Sequence, residues 1–290
     1  MPHPITVGLD GSPESLDAAD WAAREARWRQ APLRLVHAWM LPPQVARTAQ
    51  APEVRKEWAH KILDDAEADL AARYPEVAVS TELVAEAAVP ALVAHGAGSQ
   101  MLVLGSRGRG AVAGFLLGSI GLHVLGRAAC PVVLVRHGGG GQAQGAAGGD
   151  VVVGVQDPPE SAAPIEFAFA TAAARGTGVR AVRAWALPPV FEYGMAYLRA
   201  LEEAGGIEPG ERKRLAEAVL LWREKYPQVP VTEHVEMGNA AEVLLTSAVG
   251  AGLVVVGRYS HRSAVGPHLG HVTHALLHHA TCPVAVVPHD

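Results

Sequence analysis

Apolar residues in the first 136 positions fall into short blocks separated by longer amphipathic stretches. Ile5 to Leu9, Leu33 to Trp39, Val77 to Val84, Met101 to Leu104 and Pro131 to Val135 have the length and content of strands. Met101 to Leu104 is continuously apolar, which suits a strand buried on both faces of a parallel sheet. Helical spacing fills the gaps. Leu16, Ala19, Ala23 and Ala26 line one face of a helix over about Glu14 to Gln30, and Val54, Trp58, Ile62 and Ala66 line the inner face of one over Pro52 to Arg73. Shorter helices are predicted over Pro90 to Ala97 and Ser119 to Ala128. Asp10-Gly11-Ser12-Pro13, Leu41-Pro42-Pro43 and Tyr74-Pro75 punctuate the pattern. Strands alternating with helices require parallel pairing and right-handed crossovers, hence a doubly wound α/β sheet. In such a sheet a ligand sits beyond the carboxyl ends of the strands where the winding reverses, and Asp10 and Gly105 each follow a strand.

The second half repeats the first. Val153-Gly154-Val155 echoes Val7-Gly8-Leu9, Trp185-Ala186-Leu187-Pro188-Pro189 echoes Trp39-Met40-Leu41-Pro42-Pro43, Tyr226-Pro227 echoes Tyr74-Pro75, and Cys282-Pro283-Val284 echoes Cys130-Pro131-Val132. The offset is 146 at the tryptophans and 152 at the tyrosines, so the second copy carries six extra residues between them, with Gly205-Gly206 in that insertion. His137 to Gly149 is nearly all Gly, Ala and Gln and reads as a flexible linker spanning on the order of 20 Å. The expectation is two tandem five-stranded domains, 1–136 and 150–290, joined by residues 137–149.

The chemistry concentrates in residues 101–119, MLVLGSRGRGAVAGFLLGS, read as a buried strand, a Gly- and Arg-rich loop and a helix start. Gly105, Gly108 and Gly110 leave backbone N–H groups uncovered, and Arg107, Arg109 and Ser119 add charge and a hydroxyl, a combination suited to a polyphosphate. A P-loop is excluded, because Gly105-x4-Gly110 is followed by Ala111 and the loop has no lysine. A dinucleotide fingerprint is excluded by Asp10-Gly11-Ser12-Pro13 after the first strand.

What remains, Gly105-x2-Gly108-x9-Gly118-Ser119, resembles the nucleotide loop of the ATP-binding branch of the universal stress protein family. Val7-Gly8-Leu9-Asp10-Gly11-Ser12 and Cys130-Pro131-Val132-Val133 share the resemblance, and the repeat extends it over nearly the whole chain as a tandem member. It implies strand order 3-2-1-4-5 in each domain, ATP binding, a role in stress response, and dimerisation through the fifth strands, as a homodimer or between the two halves. The nucleotide is expected at Gly105, Ser106, Arg107, Gly108, Arg109, Gly110, Ala111, Gly118 and Ser119. Gly8 and Ala38 would let an adenine approach the backbone, or simply pack within their strands. Asp10 would meet a ribose hydroxyl or Mg²⁺ at the phosphates, or close an Asx turn. Ser119 is a candidate helix cap.

In the second half Gly154, Gly257, Arg258 and Gly270 are the counterparts, with Arg262 as further charge. Asp10 becomes Gln156, Gly108 becomes Ser260 and Ser119 becomes His271, so this half is expected to bind Mg-ATP weakly or not at all. Two other classes stay open. A slow ATPase or an adenylate-forming enzyme of the related α-hydrolase fold is one, although the latter calls for S-G-G-x-D-S after the first strand. A ligand-free interaction module is the other. The lack of a P-loop lysine or a dedicated base favours ATP as a regulatory or assembly ligand.

Composition narrows the setting. A net charge of −5 with no run of like charges argues against a nucleic-acid or anionic-membrane surface. No apolar run approaches the roughly 20 residues of a membrane helix. Two cysteines in 290 residues fit a reducing, cytoplasmic compartment, and their equivalent places before the fifth strands mark them as small packing residues. His268, His271, His274 and His278 recur at helical spacing, a stripe that can bind a metal, but with no Cys or clustered carboxylate beside it a solvated face is the expected reading.

Overall fold

Local sequence signals set the first helix. Ser12 is its N-cap, with Oγ accepting from the Ser15 N–H at 3.2 Å, Pro13 opens the first turn, and Gln30 ends it in the left-handed conformation at φ 50°. The computed structural model describes residues 2–40, 52–106, 118–137, 149–157, 159–186, 206–260 and 269–289. Its first half runs β1 (Ile5–Gly8), α1 (Pro13–Arg29), β2 (Leu33–Ala38), α2 (Pro52–Arg73), β3 (Val79–Val84), α3 (Ala88–Gly96), β4 (Met101–Ser106), α4 (Ser119–Leu125) and β5 (Val132–Arg136). The second runs β6 (Val151–Gly154), α5 (Ala162–Arg175), β7 (Val179–Trp185), α6 (Glu208–Lys225), β8 (Val231–Met237), α7 (Ala240–Ser247), β9 (Leu253–Tyr259), α8 (His271–His279) and β10 (Val284–His289).

All ten strands among the described residues form one sheet in the order β3-β2-β1-β4-β5-β10-β9-β6-β7-β8. Pairing is parallel within each half, and the first half has the expected order 3-2-1-4-5. The halves meet where β5 and β10 pair antiparallel, with Val133 opposite Ala285. The apolar edge of each fifth strand is thereby covered by the other. Helices α1, α2, α5 and α6 pack on one face of the sheet and α3, α4, α7 and α8 on the other.

Several expectations are corrected. The buried stripe of α2 is Ala59, Leu63, Ala66 and Leu70, whereas Val54 and Trp58 are 49% and 64% exposed. Residues repeated every four positions drift around a helix, while alternating steps of four and three stay on one face. On α1, Leu16 is 44% exposed and the sheet is contacted by Ala18, Ala19, Ala22, Ala23 and Ala26. Helix α4 stops at Leu125 instead of Ala128, and β4 continues through Gly105 and Ser106, which pair with Val135 and Arg136. Residues 138–148 of the predicted linker lie outside the described residues.

Candidate functional site

The carboxyl ends of β1, β2 and β4 converge, since Gly8 is in register with Val36 on one side and Leu104 on the other. Gly8, Asp10, Ala38 and Gly105 therefore sit at one edge of the sheet, as the sequence suggested. Arg107, Gly108, Arg109, Gly110 and Ala111 lie outside the described residues, as do Arg262 and His268.

Asp10 closes an Asx turn: its Oδ1 accepts from the Ser12 backbone N–H at 3.0 Å and from the Ser12 hydroxyl at 2.5 Å. Partial enclosure pushes its carboxyl up, but hydrogen bonds from Ser12 and Ser15 and the nearby His37 outweigh this and hold it below the usual carboxylate value. Asp10 is thus an ionised, solvent-exposed carboxylate at the strand end. His37 was not singled out from the sequence. Its Nδ1 lies 2.7 Å from the Leu9 carbonyl, which receives the ring N–H and leaves Nε2 as the other face of the imidazole. Its position one residue before Ala38 at the end of β2 was the available signal.

The glycines separate into two kinds. A Cβ on Gly105 would stand 2.4 Å from the Glu14 carbonyl oxygen and 2.7 Å from the Ser15 nitrogen, so the start of α1 itself requires a bare backbone there. Gly8 is pressed by the ends of Leu104 and Leu92, at 2.7 and 2.8 Å from a Cβ position. Gly118 is different. It has φ −57° and ψ 143°, and no described atom lies within 4 Å of its Cβ position. Gly118, not Ser119, is the N-cap of α4, and Ser119 is the exposed first helical residue. The Ser106 hydroxyl is buried and donates to the Val135 carbonyl at 3.2 Å, tying β4 to β5.

In the second half, Gly154, Gly257, Arg258 and Gly270 all line one cavity of about 240 Å³ at the carboxyl ends of β6, β7 and β9. Val182, Ala184, Leu244 and Val256 give it an apolar wall, and Gln156, His271, Thr273 and His289 give it polar groups. The Arg258 guanidinium is directed elsewhere: Nη2 donates to the Ala128 carbonyl at 2.6 Å in the first half, and Nη1 to the Tyr259 carbonyl at 3.0 Å. The charge read into this cavity from the sequence is engaged at the joint between the halves. In the reverse direction, Arg136 Nη2 donates to the Leu277 carbonyl of α8 at 3.0 Å.

The remaining candidates resolve simply. Cys130 and Cys282 are free and buried, and burial pushes both thiols up to about 11, so neither is a ready thiolate at neutral pH. The His274 and His278 rings lie 4.3 Å apart, but no group of three or more His, Cys, Asp or Glu among the described residues is placed to hold a metal. No described helix is long and apolar enough to cross a membrane. A second cavity of about 320 Å³ lies between α1 and α2, lined by Leu16, Trp58, Ile62 and Leu70 with a charged rim.

The model of the "Universal stress protein family" matches residues 1–136 and 149–288. A universal stress protein of Mycobacterium tuberculosis is 36% identical over 98% of this chain and 96% of its own length, and one of Mycolicibacterium smegmatis is 34% identical over the same shares. The crystal structure of a universal stress protein from Archaeoglobus fulgidus, 15% identical, superposes over 100% of both chains with a TM-score of 0.70 and so shares the fold. A universal stress protein solved in complex with cAMP is 29% identical over 47% of this chain and 97% of its own, with a TM-score of 0.36.

Proposed function

The chain belongs to the universal stress protein family, and from that premise we propose that its first half binds ATP as a regulatory or assembly ligand in a stress response. The nucleotide lies along Gly105 to Ala111 and Gly118-Ser119, with Arg107 and Arg109 offsetting phosphate charge and the adenine directed toward Gly8 and Ala38. Asp10 fits a Mg²⁺ ion carried by the phosphates, because it is an ionised and solvent-facing carboxylate whose second oxygen, Oδ2, takes no part in the Asx turn. Residues 1–136 and 150–290 are the two domains of this reading, and a reducing, cytoplasmic setting accords with the two buried free thiols.

Gly118 carries the reading. Its backbone angles are open to any residue and no described atom crowds it, so the described residues give no steric reason for the missing side chain. A ligand approaching the backbone does. The loop sequence contains no lysine, which leaves out the clamp of phosphoryl-transfer sites, so bound ATP is expected to stay intact for many minutes.

The test is direct. Purified protein is denatured and the released nucleotide identified, and the full chain and Gly118→Val are titrated with Mg-ATP by calorimetry. The substitution should remove the tight site by steric exclusion. Equal affinity in parent and variant would mean that the phosphates do not lie at Gly118.

A further inference from the structure

One flank of the first half carries apolar surface that the packing of the chain does not use. Leu16 on α1 and Val54 and Trp58 on α2 all stand exposed there. Leu16 and Trp58 line the cavity of about 320 Å³ between the two helices, and Ile62, Ala66 and Leu70 complete its apolar wall. A projecting tryptophan and an apolar hollow thus share one surface. We propose that this flank is where two copies of the chain associate about a twofold axis, with α2 antiparallel to α2 of the second copy and each Trp58 seated in the hollow of the other. The proposal stands independently of the nucleotide reading given above.

The duplication shows that the apolar rim is not a requirement of the fold. By the repeat, Ala162 takes the place of Leu16, Gly210 that of Trp58 and Arg214 that of Ile62. The buried positions are kept, with Leu215 and Trp222 standing for Leu63 and Leu70. The equivalent hollow beside α6, about 310 Å³, is lined by Asp157, Arg214, Glu217 and Ala218, and Arg214 is paired with Glu211 at 2.9 Å. One copy of the groove is finished for water and the other is apolar. Core packing does not explain the difference, whereas a partner that withdraws the first groove from water does.

Self-complementarity names that partner. In a twofold contact each surface meets itself, so a projection and the hollow that receives it must lie on the same face. An antiparallel α2 pair centred near Ile62 sets Trp58 opposite Ala66 of the second copy. The charges agree. Up to Lys61 the helix carries Arg55, Lys56 and Lys61 against Glu53 and Glu57, and beyond it Asp64, Asp65, Glu67 and Asp69 against Arg73 alone. Reversed against itself, the basic stretch faces the acidic one, and Lys61 comes opposite Asp65 of the second copy. Within its own chain Lys61 lies 3.1 Å from Asp65, but both side chains are exposed and the lysine precedes the acid, the weaker order on a helix. Other routes to assembly are less open. The fifth-strand edges cover each other, and the outer strands β3 and β8 are blunted by exposed Glu82 and Glu236.

The experiment is sedimentation equilibrium of the full chain without nucleotide, over a series of concentrations. It compares the parent, Trp58→Ala, Lys61→Asp, Asp65→Lys and an equimolar mixture of the last two, each checked by thermal melting. The parent should associate reversibly to a dimer. Trp58→Ala should weaken the dimer at least about tenfold, as loss of a central aromatic anchor does. Each charge reversal sets like charges opposite one another and should weaken it about tenfold. In the mixture one chain offers only acids at the two positions and the other only lysines, so mixed dimers should form with an affinity within about threefold of the parent. A role for the pair within one chain cannot produce rescue by mixing. A parent that stays monomeric at its highest soluble concentration leaves the hollow to another occupant and overturns the proposal. Association unchanged in Trp58→Ala, or a mixture that associates no more tightly than its components, overturns it as well. If Trp58→Ala does not fold, the mixture decides.

Discussion

Gly105 and Gly118 belong to one sequence motif but answer to different forces. At Gly105 a methyl group would collide with rigid backbone at the start of α1, an atom set that cannot swing aside as the end of a leucine can. Gly105→Ala is therefore expected to destabilise the fold by about 1–3 kcal/mol, the usual cost of forcing extra volume into a packed site. Gly118→Ala, at φ −57° with no described atom within 4 Å of its Cβ position, is expected to change stability by less than about 0.5 kcal/mol. Urea unfolding of the two variants without nucleotide separates these cases, and equal losses would mean that the two glycines serve the same purpose. The same division explains what the motif conveyed in advance. A glycine in a sequence reports that a side chain is unwelcome; whether protein backbone or a ligand excludes it depends on atoms distant in the chain, here Glu14 and Ser15.

Helix α2 makes the corresponding point for elements. Leu63 is 2% exposed and packs in the core with Ala66 and Leu70, while Trp58, the largest apolar side chain on the helix, stands 64% exposed at the rim of the α1–α2 cavity. Leu63→Ala is expected to cost about 2–5 kcal/mol, and Trp58→Ala less than about 1 kcal/mol because little of its surface is withdrawn from water. Chemical denaturation of each variant checks this, and the reverse order would place the buried stripe where the sequence pattern put it. Helix and strand existence was legible throughout, because strand-sized apolar blocks alternate with 3.6-residue periodicity and are punctuated by Pro and Gly. The facing of α2 was not: its apolar residues satisfy two stripes a fraction of a turn apart, and only contact with the sheet chooses between them. The end of β4 was equally hidden, since Gly105 reads as a loop residue until its pairing with Val135 is seen. For the candidate site, the strand-end positions were legible from the α/β alternation. His37 and His289 were not, because each gains meaning only from a neighbour in space, Leu9 for one and the cavity at the ends of β6, β7 and β9 for the other.

At the scale of the whole molecule the duplication was written in the repeat, but the joint was not. Beside the β5–β10 pair and the Arg258 and Arg136 bonds to the opposite half, a buried charge cluster between α1 and α5 supplies a further part of that joint. The Glu25 carboxylate, fully buried on α1, accepts from Arg29 at 3.1 Å on its own helix and from Arg175 at 2.5 Å on the other half. Arg175 lies against the Trp21 and Trp28 rings at 5.4 and 5.3 Å, and Arg29 also donates to Thr171 at 2.6 Å. Burial lowers the pKa of Arg175, with the Glu25 charge and hydrogen bond working against it, and the carboxylate is what makes two enclosed guanidinium groups tolerable. Removing it leaves both without their counter-ion. Glu25→Ala is thus expected to cost about 3–5 kcal/mol, whereas Asp65→Ala, which removes the exposed partner of Lys61 on α2, should cost about 1 kcal/mol or less. Because the lost contact lies between the halves, the cost should fall on their coupling: calorimetric melting of Glu25→Ala should broaden or split into two transitions where the parent gives one. A single sharp transition, shifted no further than that of Asp65→Ala, would show that the β5–β10 pairing and the arginine bonds beside it hold the two halves together without the charge cluster.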